Sequence, residues 1–140
     1  MIEQTLMIVK PDAVKASKTG EVLKRIEGAG FTIREMRMVR LTEEEANRFY
    51  EVHREKPFYQ PLVEFMISGP CVPVLLEREN AIARLREFIG KTNPKEAAPG
   101  TIRSDFGTNV QYNAVHASDG PDTAKREKAF FFDSPAADRR

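Results

Sequence analysis

The chain has 140 residues, about one domain's worth, and a compact domain of this size buries roughly 68% of the surface its unfolded chain exposes. Lys and Arg number 22 and Asp and Glu 21, a net charge of +1, which removes the electrostatic case for a general nucleic-acid or membrane-surface binder. With 41% apolar and 31% charged residues, the composition is that of an ordinary globule rather than a disordered chain. The single cysteine, Cys71, permits no internal disulfide and sits in an apolar run, where it reads as a small buried hydrophobe. With only His53 and His116 beside it, the histidine and cysteine count argues against a structural zinc site. The opening MIEQTLMIVK carries an acid at Glu3, no basic flank and an apolar stretch too short for a signal peptide or a membrane span. The expectation is a cytoplasmic protein.

In chain order, residues 4–9 (QTLMIV) read as a buried first strand, stopped at Lys10-Pro11-Asp12 because Pro11 has no N–H for a ladder. A short helical piece follows. Residues 21–29 then form a helix with Val22, Leu23 and Ile26 on one face, and Gly28 and Gly30 provide its stop. Residues 31–41 are the second strand, and a slip of phase between Ile33 and Met36 predicts a bulge or a twisted edge. Thr42-Glu-Glu-Glu45 has the capping-box pattern. The helix after it carries Ala46, Phe49, Tyr50 and His53 at helical spacing and is expected to end at Pro57. His53, with no motif around it, reads as a partly exposed helix residue. Pro61 opens a further helix with Leu62, Phe65 and Met66 inward.

After Gly69-Pro70, residues 71–76 read as the third strand, and residues 81–89 as a helix with Ile82, Leu85, Phe88 and Ile89 inward. Residues 91–122 are rich in Gly and Pro and have little periodicity. They read as a long loop, ordered by scattered apolar residues and therefore functional. A short helix near residues 123–128, a last strand at 129–132 and a loosely held tail at 134–140 complete the chain. The expected fold is α+β: one domain over residues 1–140, a ferredoxin-like α/β sandwich with a four-stranded antiparallel sheet in the order β-α-β-β-α-β. Extra helices and a long loop ahead of residue 116 are added to it.

Several ways of handling nucleotides are missing. There is no GxxxxGK[ST], no GxGxxG after a strand, no HExxH and no GxSxG. Any phosphate must be met by side-chain cations. The informative segment is Asn113-Ala-Val-His-Ala-Ser-Asp119-Gly120. It sets a histidine among small residues, where Ala117 leaves the ring edge open and Ser118 and Asp119 can bond locally. Histidine, with a reference pKa of about 6.5, is the best neutral nitrogen nucleophile near neutrality. From this segment alone, a structural or solvent-exposed loop histidine is the stronger reading.

Four segments together resemble the nucleoside diphosphate kinase family: TLMIVKPDAV, KPFYQPLV, TNPKEAAPGTIRSDFG and NAVHASDG, in register from Thr5 nearly to Phe132. The resemblance implies a ping-pong enzyme that moves the γ-phosphoryl group of ATP or another nucleoside triphosphate to a nucleoside diphosphate, thereby maintaining nucleotide pools. His116 matches the histidine that carries the phosphoryl group. Lys10, Arg86, Thr92 and Arg103 match residues that grip phosphates. Asn113 matches a ribose contact, and Phe58, with Val110 opposite, the aromatic that stacks on the base. Tyr50, Ser118 and Glu127 match supporting residues. The resemblance further implies Mg²⁺ held by nucleotide phosphates and not by a protein cage, broad base specificity, and a tetramer or hexamer. It implies no membrane and no specific nucleic acid. Ala117 stands where many relatives have glycine, and Lys56 where some carry arginine. Two other readings use the same residues. A ferredoxin-like binding module is disfavoured by the near-zero charge and the lack of an RNP1-like run. A phosphohistidine relay that binds no nucleotide leaves Arg86, Arg103, Thr92 and Phe58 without a task.

Overall fold

The computed structural model describes residues 1–133. The expectation of a loose tail at 134–140 lies outside the described residues. The elements are β1 (Ile2–Val9), α1 (Pro11–Lys15), α2 (Thr19–Gly28), β2 (Thr32–Met36), α3 (Glu43–Phe49), α4 (Tyr59–Met66), β3 (Val72–Glu79), α5 (Ala81–Ile89), α6 (Ile102–Phe106), β4 (Val115–Ala117) and α7 (Pro121–Lys128). Single 3₁₀ turns lie at Glu51–His53 and Pro94–Glu96, and α7 runs on into a π-helical turn, Ala129–Asp133. The four strands form one antiparallel sheet in the order β2-β3-β1-β4.

β1 and β3 are central, and over Leu6–Val9 and Val72–Leu76 they read as continuous apolar runs because both faces of the sheet are covered there. On one face Met7, Val9, Val74 and Leu76 pack against Val22 and Ile26 of α2, Leu85 and Ile89 of α5 and Ile102 of α6. On the other, Leu6, Ile8 and Leu75 meet Ala46 and Phe49 of α3, Val63 and Met66 of α4, and Phe131 and Phe132. The added helices between β2 and β3 thus cover a sheet face that would otherwise be open. Truncating Ile102, wholly buried, would cost about 2–5 kcal/mol and would loosen the segment that carries Arg103.

The phase slip expected in β2 is present: the β2–β3 register shifts between Ile33 and Glu35. Regular pairing stops at Met36 and resumes only at an isolated bridge, Val39 to Cys71. Pro73 explains the gap, since its carbonyl accepts from Arg37 at 3.3 Å but it has no N–H to return. The Thr42–Glu45 capping box is formed in both directions, at 3.1 and 2.9 Å. Cys71 is buried, and burial pushes its thiol up to about 12.

Three expectations are corrected. α3 ends at Phe49, well before Pro57, because the chain tightens into a 3₁₀ turn closed by the His53 N–H on the Tyr50 carbonyl at 2.8 Å. Residues 129–132 are not the fourth strand. They continue α7, and Phe130 and Phe131 pack at 5.1 Å from the Phe49 ring. The fourth strand is the three-residue β4 inside the predicted loop, so His116 stands on a strand and not in a loop. Three residues are too few for an alternation signal, and consecutive phenylalanines mimic a buried strand.

Candidate active site

β4 lies at the edge of the sheet, and its pairing of His116 with Ile8 sets the ring on the face covered by α3 and α4. Phe49 meets the imidazole edge-on, with ring centroids 5.8 Å apart. Nε2 lies 2.9 Å from Glu127 Oε1, the same oxygen that receives the Ser118 hydroxyl at 2.6 Å. Glu127 is almost wholly buried. Burial pushes its carboxyl up, but the bonds and charge of His116, the Ser118 hydroxyl and the charge of Arg126 outweigh that and hold it below the usual range. The group is therefore a carboxylate near neutrality and can only accept. Nε2 must carry the hydrogen, and the lone pair is on Nδ1.

The ring borders a cleft of about 530 Å³. β4, the 3₁₀ turn after α3, α4, α5 and the long segment after α5 all contribute to its wall. Lys10, Tyr50, Phe58, Arg86, Thr92, Arg103 and Asn113 all line it with His116. Every sequence-predicted cleft residue is thus brought to one place, while Ser118 and Glu127 stand behind the imidazole.

Lys10 follows β1 and occupies the N-cap position of α1, with its side chain turned to other partners. It is buried, and Nζ donates to Asn113 Oδ1 at 3.0 Å and to the Gln111 carbonyl at 3.1 Å. Burial lowers its pKa from the usual 10.5 to about 8, with nearby Arg103 acting in the same direction and Asp12 against it. Asn113 joins two walls: its amide also donates to the Thr92 carbonyl at 3.0 Å. Arg103, in the first turn of α6, donates to the Gly90 carbonyl at 3.1 Å and to that of Val115 at 2.8 Å. Its Nε is buried with no protein partner. Burial and the neighbouring Arg86 lower its pKa to about 10, so it stays charged at neutrality.

Gly90 is fixed by the same contact region. Its φ is +94, and a Cβ there would stand 2.6 Å from Thr101 Oγ1. Thr101 in turn caps α6 at 3.3 Å. Arg86 is half exposed and donates to Asp119 at 2.8 Å. Tyr50 is buried, and burial raises its phenol far above neutrality, so it remains an O–H donor. Phe58 and Val110, 48% and 56% exposed, offer apolar surface at the mouth. Such exposure is unlike a core role for Phe58.

The cleft has lining residues that the sequence reading did not place there. His53 stacks on Tyr50 at 6.5 Å and lies 5.2 Å from Phe58. Helical spacing concealed it, because the turn to 3₁₀ geometry at Glu51 redirects it. Leu62 reads as core from its periodicity and reaches the cleft from α4. Gln111 serves Lys10 with a backbone carbonyl, which leaves no mark in a side-chain pattern.

Cations converging on one imidazole suit the transfer of an anionic group between oxygens, and the class so defined is a phosphotransferase on an antiparallel α+β sheet. The profile of the family described as nucleoside diphosphate kinase matches residues 3–136. A nucleoside diphosphate kinase of Salinibacter ruber is 55% identical over 130 residues, 93% of this chain and 92% of the relative. Among solved structures, that of the Aquifex aeolicus nucleoside diphosphate kinase is similar with a TM-score of 0.94 at 50% identity, covering 98% of this chain and 99% of that one. A Halobacterium salinarum nucleoside diphosphate kinase in complex with CDP gives a TM-score of 0.91 at 38% identity, covering 96% and 90%. The chain belongs to the nucleoside diphosphate kinase family and is a phosphotransferase from nucleoside triphosphates to nucleoside diphosphates. Among the described residues no helix is long and apolar enough to cross a membrane.

Proposed function

We propose that His116 carries the phosphoryl group, in two half-reactions that use the same cleft in turn. The observation that carries this is the Glu127 contact, which fixes Nε2 as the N–H and leaves the Nδ1 lone pair as nucleophile. Nδ1 attacks the γ-phosphorus. The bond to the bridging oxygen breaks, and its electron pair leaves with the nucleoside diphosphate. The N-phosphorylated ring gains positive charge, which the buried Glu127 carboxylate stabilises across the Nε2–H bond. In the second half-reaction a terminal oxygen of the incoming diphosphate attacks the same phosphorus, and the N–P pair returns to Nδ1.

Lys10, Arg86 and Arg103 neutralise the nonbridging oxygens, Arg by a planar fork and Lys as a point charge. Thr92 and the Tyr50 hydroxyl add neutral donors. Asn113 contacts the ribose while holding Lys10 and Thr92 in place. Phe58 and Val110 sandwich the base, and because every base offers a π-face, specificity is broad. Among the described residues no three His, Cys, Asp or Glu are grouped as a metal cage, and Asp119 is the one acid lining the cleft. These residues fit Mg²⁺ held by the nucleotide phosphates, with Asp119 within the same space. When bound, the ion neutralises phosphate charge. The chain acts as one domain in the cytoplasm, assembled as a tetramer or hexamer. Light scattering at a dimer or monomer mass would contradict that assembly.

A chase experiment tests the function. The protein is incubated with γ-labelled ATP and Mg²⁺, separated from nucleotide, and given unlabelled GDP. The label should sit on the protein in acid-labile, base-stable form and move into GTP; a protein that never labels would refute the covalent route. A second expectation follows from Lys10. Because kcat/KM reports free-enzyme groups, it should fall above pH about 8 as Lys10 loses its charge, and the limb should vanish in Lys10→Met. Stability moves the other way. Between pH about 8 and 10.5 the unfolded chain holds a proton that folded Lys10 has released, so the Lys10 contribution grows more favourable as pH rises. A flat kcat/KM profile across that window would remove Lys10 from phosphate binding.

A further inference from the structure

We propose that Asp12 is a positioning residue for His116: its carboxylate clamps the left-handed residue Ala114 and so fixes where β4 begins. The inference rests on His116 being the phosphorylated residue and deepens that reading. Ala114 is fully buried with φ +75. In that conformation the Cβ of an L-residue crowds the following carbonyl, and such residues persist only where their surroundings over-determine them. Here both backbone groups of Ala114 are taken by the junction between β1 and α1. Its N–H donates to Asp12 Oδ2 at 3.1 Å, and its carbonyl accepts from the Lys10 N–H at 2.9 Å.

These two bonds stand next to the last pair of the β1–β4 ladder, Val9 with Val115. The junction also grips the preceding residues, since Lys10 Nζ bonds Gln111 and Asn113. Asp12 does not line the cleft, and beyond Ala114 its carboxyl bears on Lys10, whose charge it favours. Its Oδ1 is buried without a protein partner, and the Lys10 ammonium bonds elsewhere. Remove the carboxylate and the Ala114 N–H is left unpaired inside the protein beside a strained residue. The turn then relaxes, and the strand leading to His116 shifts with it. A displacement of about 1 Å at a reacting group can cost on the order of a hundredfold in rate.

Two substitutions and one double variant test this, in the full chain with ATP and a nucleoside diphosphate. Asp12→Asn keeps an oxygen for the Ala114 N–H but removes the charge; Asp12→Ala removes both. Asp12→Asn should stay within about threefold of the parent kcat, and Asp12→Ala should lose about tenfold to a hundredfold in kcat with KM nearly unchanged. Ala114→Gly in the Asp12→Ala background should recover part of that loss, because glycine adopts positive φ freely. Amide hydrogen exchange at Ala114 should be fast in Asp12→Ala and slow in Asp12→Asn. An unchanged kcat in Asp12→Ala overturns the proposal. So does an Asp12→Asn variant that falls as far as about tenfold, which would assign the effect to charge on Lys10. If Asp12→Ala does not fold, Asp12→Asn decides alone: parental kcat with a protected Ala114 amide supports the clamp, and loss of either overturns it. His116→Ala is assayed beside them. Residual transfer there defeats the reading of His116 itself, whereas a dead His116→Ala with indifferent Asp12 variants defeats only the clamp.

Discussion

His116→Ala is expected to fold and to be inert in both half-reactions. No label should pass from ATP to the protein, and transfer to GDP should fall at least about 10⁴-fold, as for removal of other covalent nucleophiles. None of the nearby hydroxyl or thiol groups is fit to replace the imidazole. Tyr50 is held protonated by burial, Cys71 is a buried thiol raised to about 12, and the Ser118 hydroxyl is spent on Glu127. The fold should survive because the ring is partly exposed at the cleft and makes one edge contact, with Phe49. Glu127 loses its His116 bond but keeps the Ser118 hydroxyl at 2.6 Å and Arg126 at 3.8 Å. The stability loss should be about 1–2 kcal/mol. Circular dichroism and a melting curve, read beside a labelling assay, separate the two effects. A variant that still labels would place the nucleophile elsewhere.

Arg103→Ala should lower kcat by about 10²–10³-fold, the cost of removing a preorganised donor from developing charge. Its guanidinium is held by two carbonyls from separate segments, Gly90 and Val115, with a further N–H unpartnered. It is therefore aimed before substrate arrives and needs little reorganisation. Arg86 gives a useful contrast. It is half exposed and paired with Asp119 at 2.8 Å, so water can partly replace it, and Arg86→Ala should be the milder change. Arg103→Ala also strands the buried Val115 carbonyl, at a stability cost of about 1–3 kcal/mol. Arg103→Lys should recover some charge but not the fork, and fall between the two. Steady-state kinetics at saturating ATP checks the order. Equal rates for Arg103→Ala and the parent would remove this residue from the transition state.

Much of this was legible in the sequence because the responsible signals are local. The Thr42–Glu45 box, the β2 slip at Ile33 and the apolar runs of β1 and β3 each depend on neighbours a few residues apart. The cleft residues were legible through family motifs; periodicity alone would have left Lys10 as a surface charge and Phe58 as core. What was not legible depends on contacts distant in the chain. β4 is a strand only because β1 supplies its partner, 106 to 110 residues away by the register Ile8 with His116 and its neighbours. Residues 129–132 reverse the error, since their phenylalanines look strand-like until Phe49 is seen to gather them on a helical turn. His53 and Gln111 enter the cleft through a local backbone change and a main-chain carbonyl, neither of which a residue pattern encodes.

The most direct measurement of the central claim is nuclear magnetic resonance of the phosphorylated protein, with ¹⁵N-labelled histidine and ³¹P detection. A carboxylate that holds Nε2–H at 2.9 Å requires the phosphorus to couple to Nδ1 of His116, with Nε2 still protonated. Phosphorus found on Nε2, or on any residue other than His116, would contradict the account.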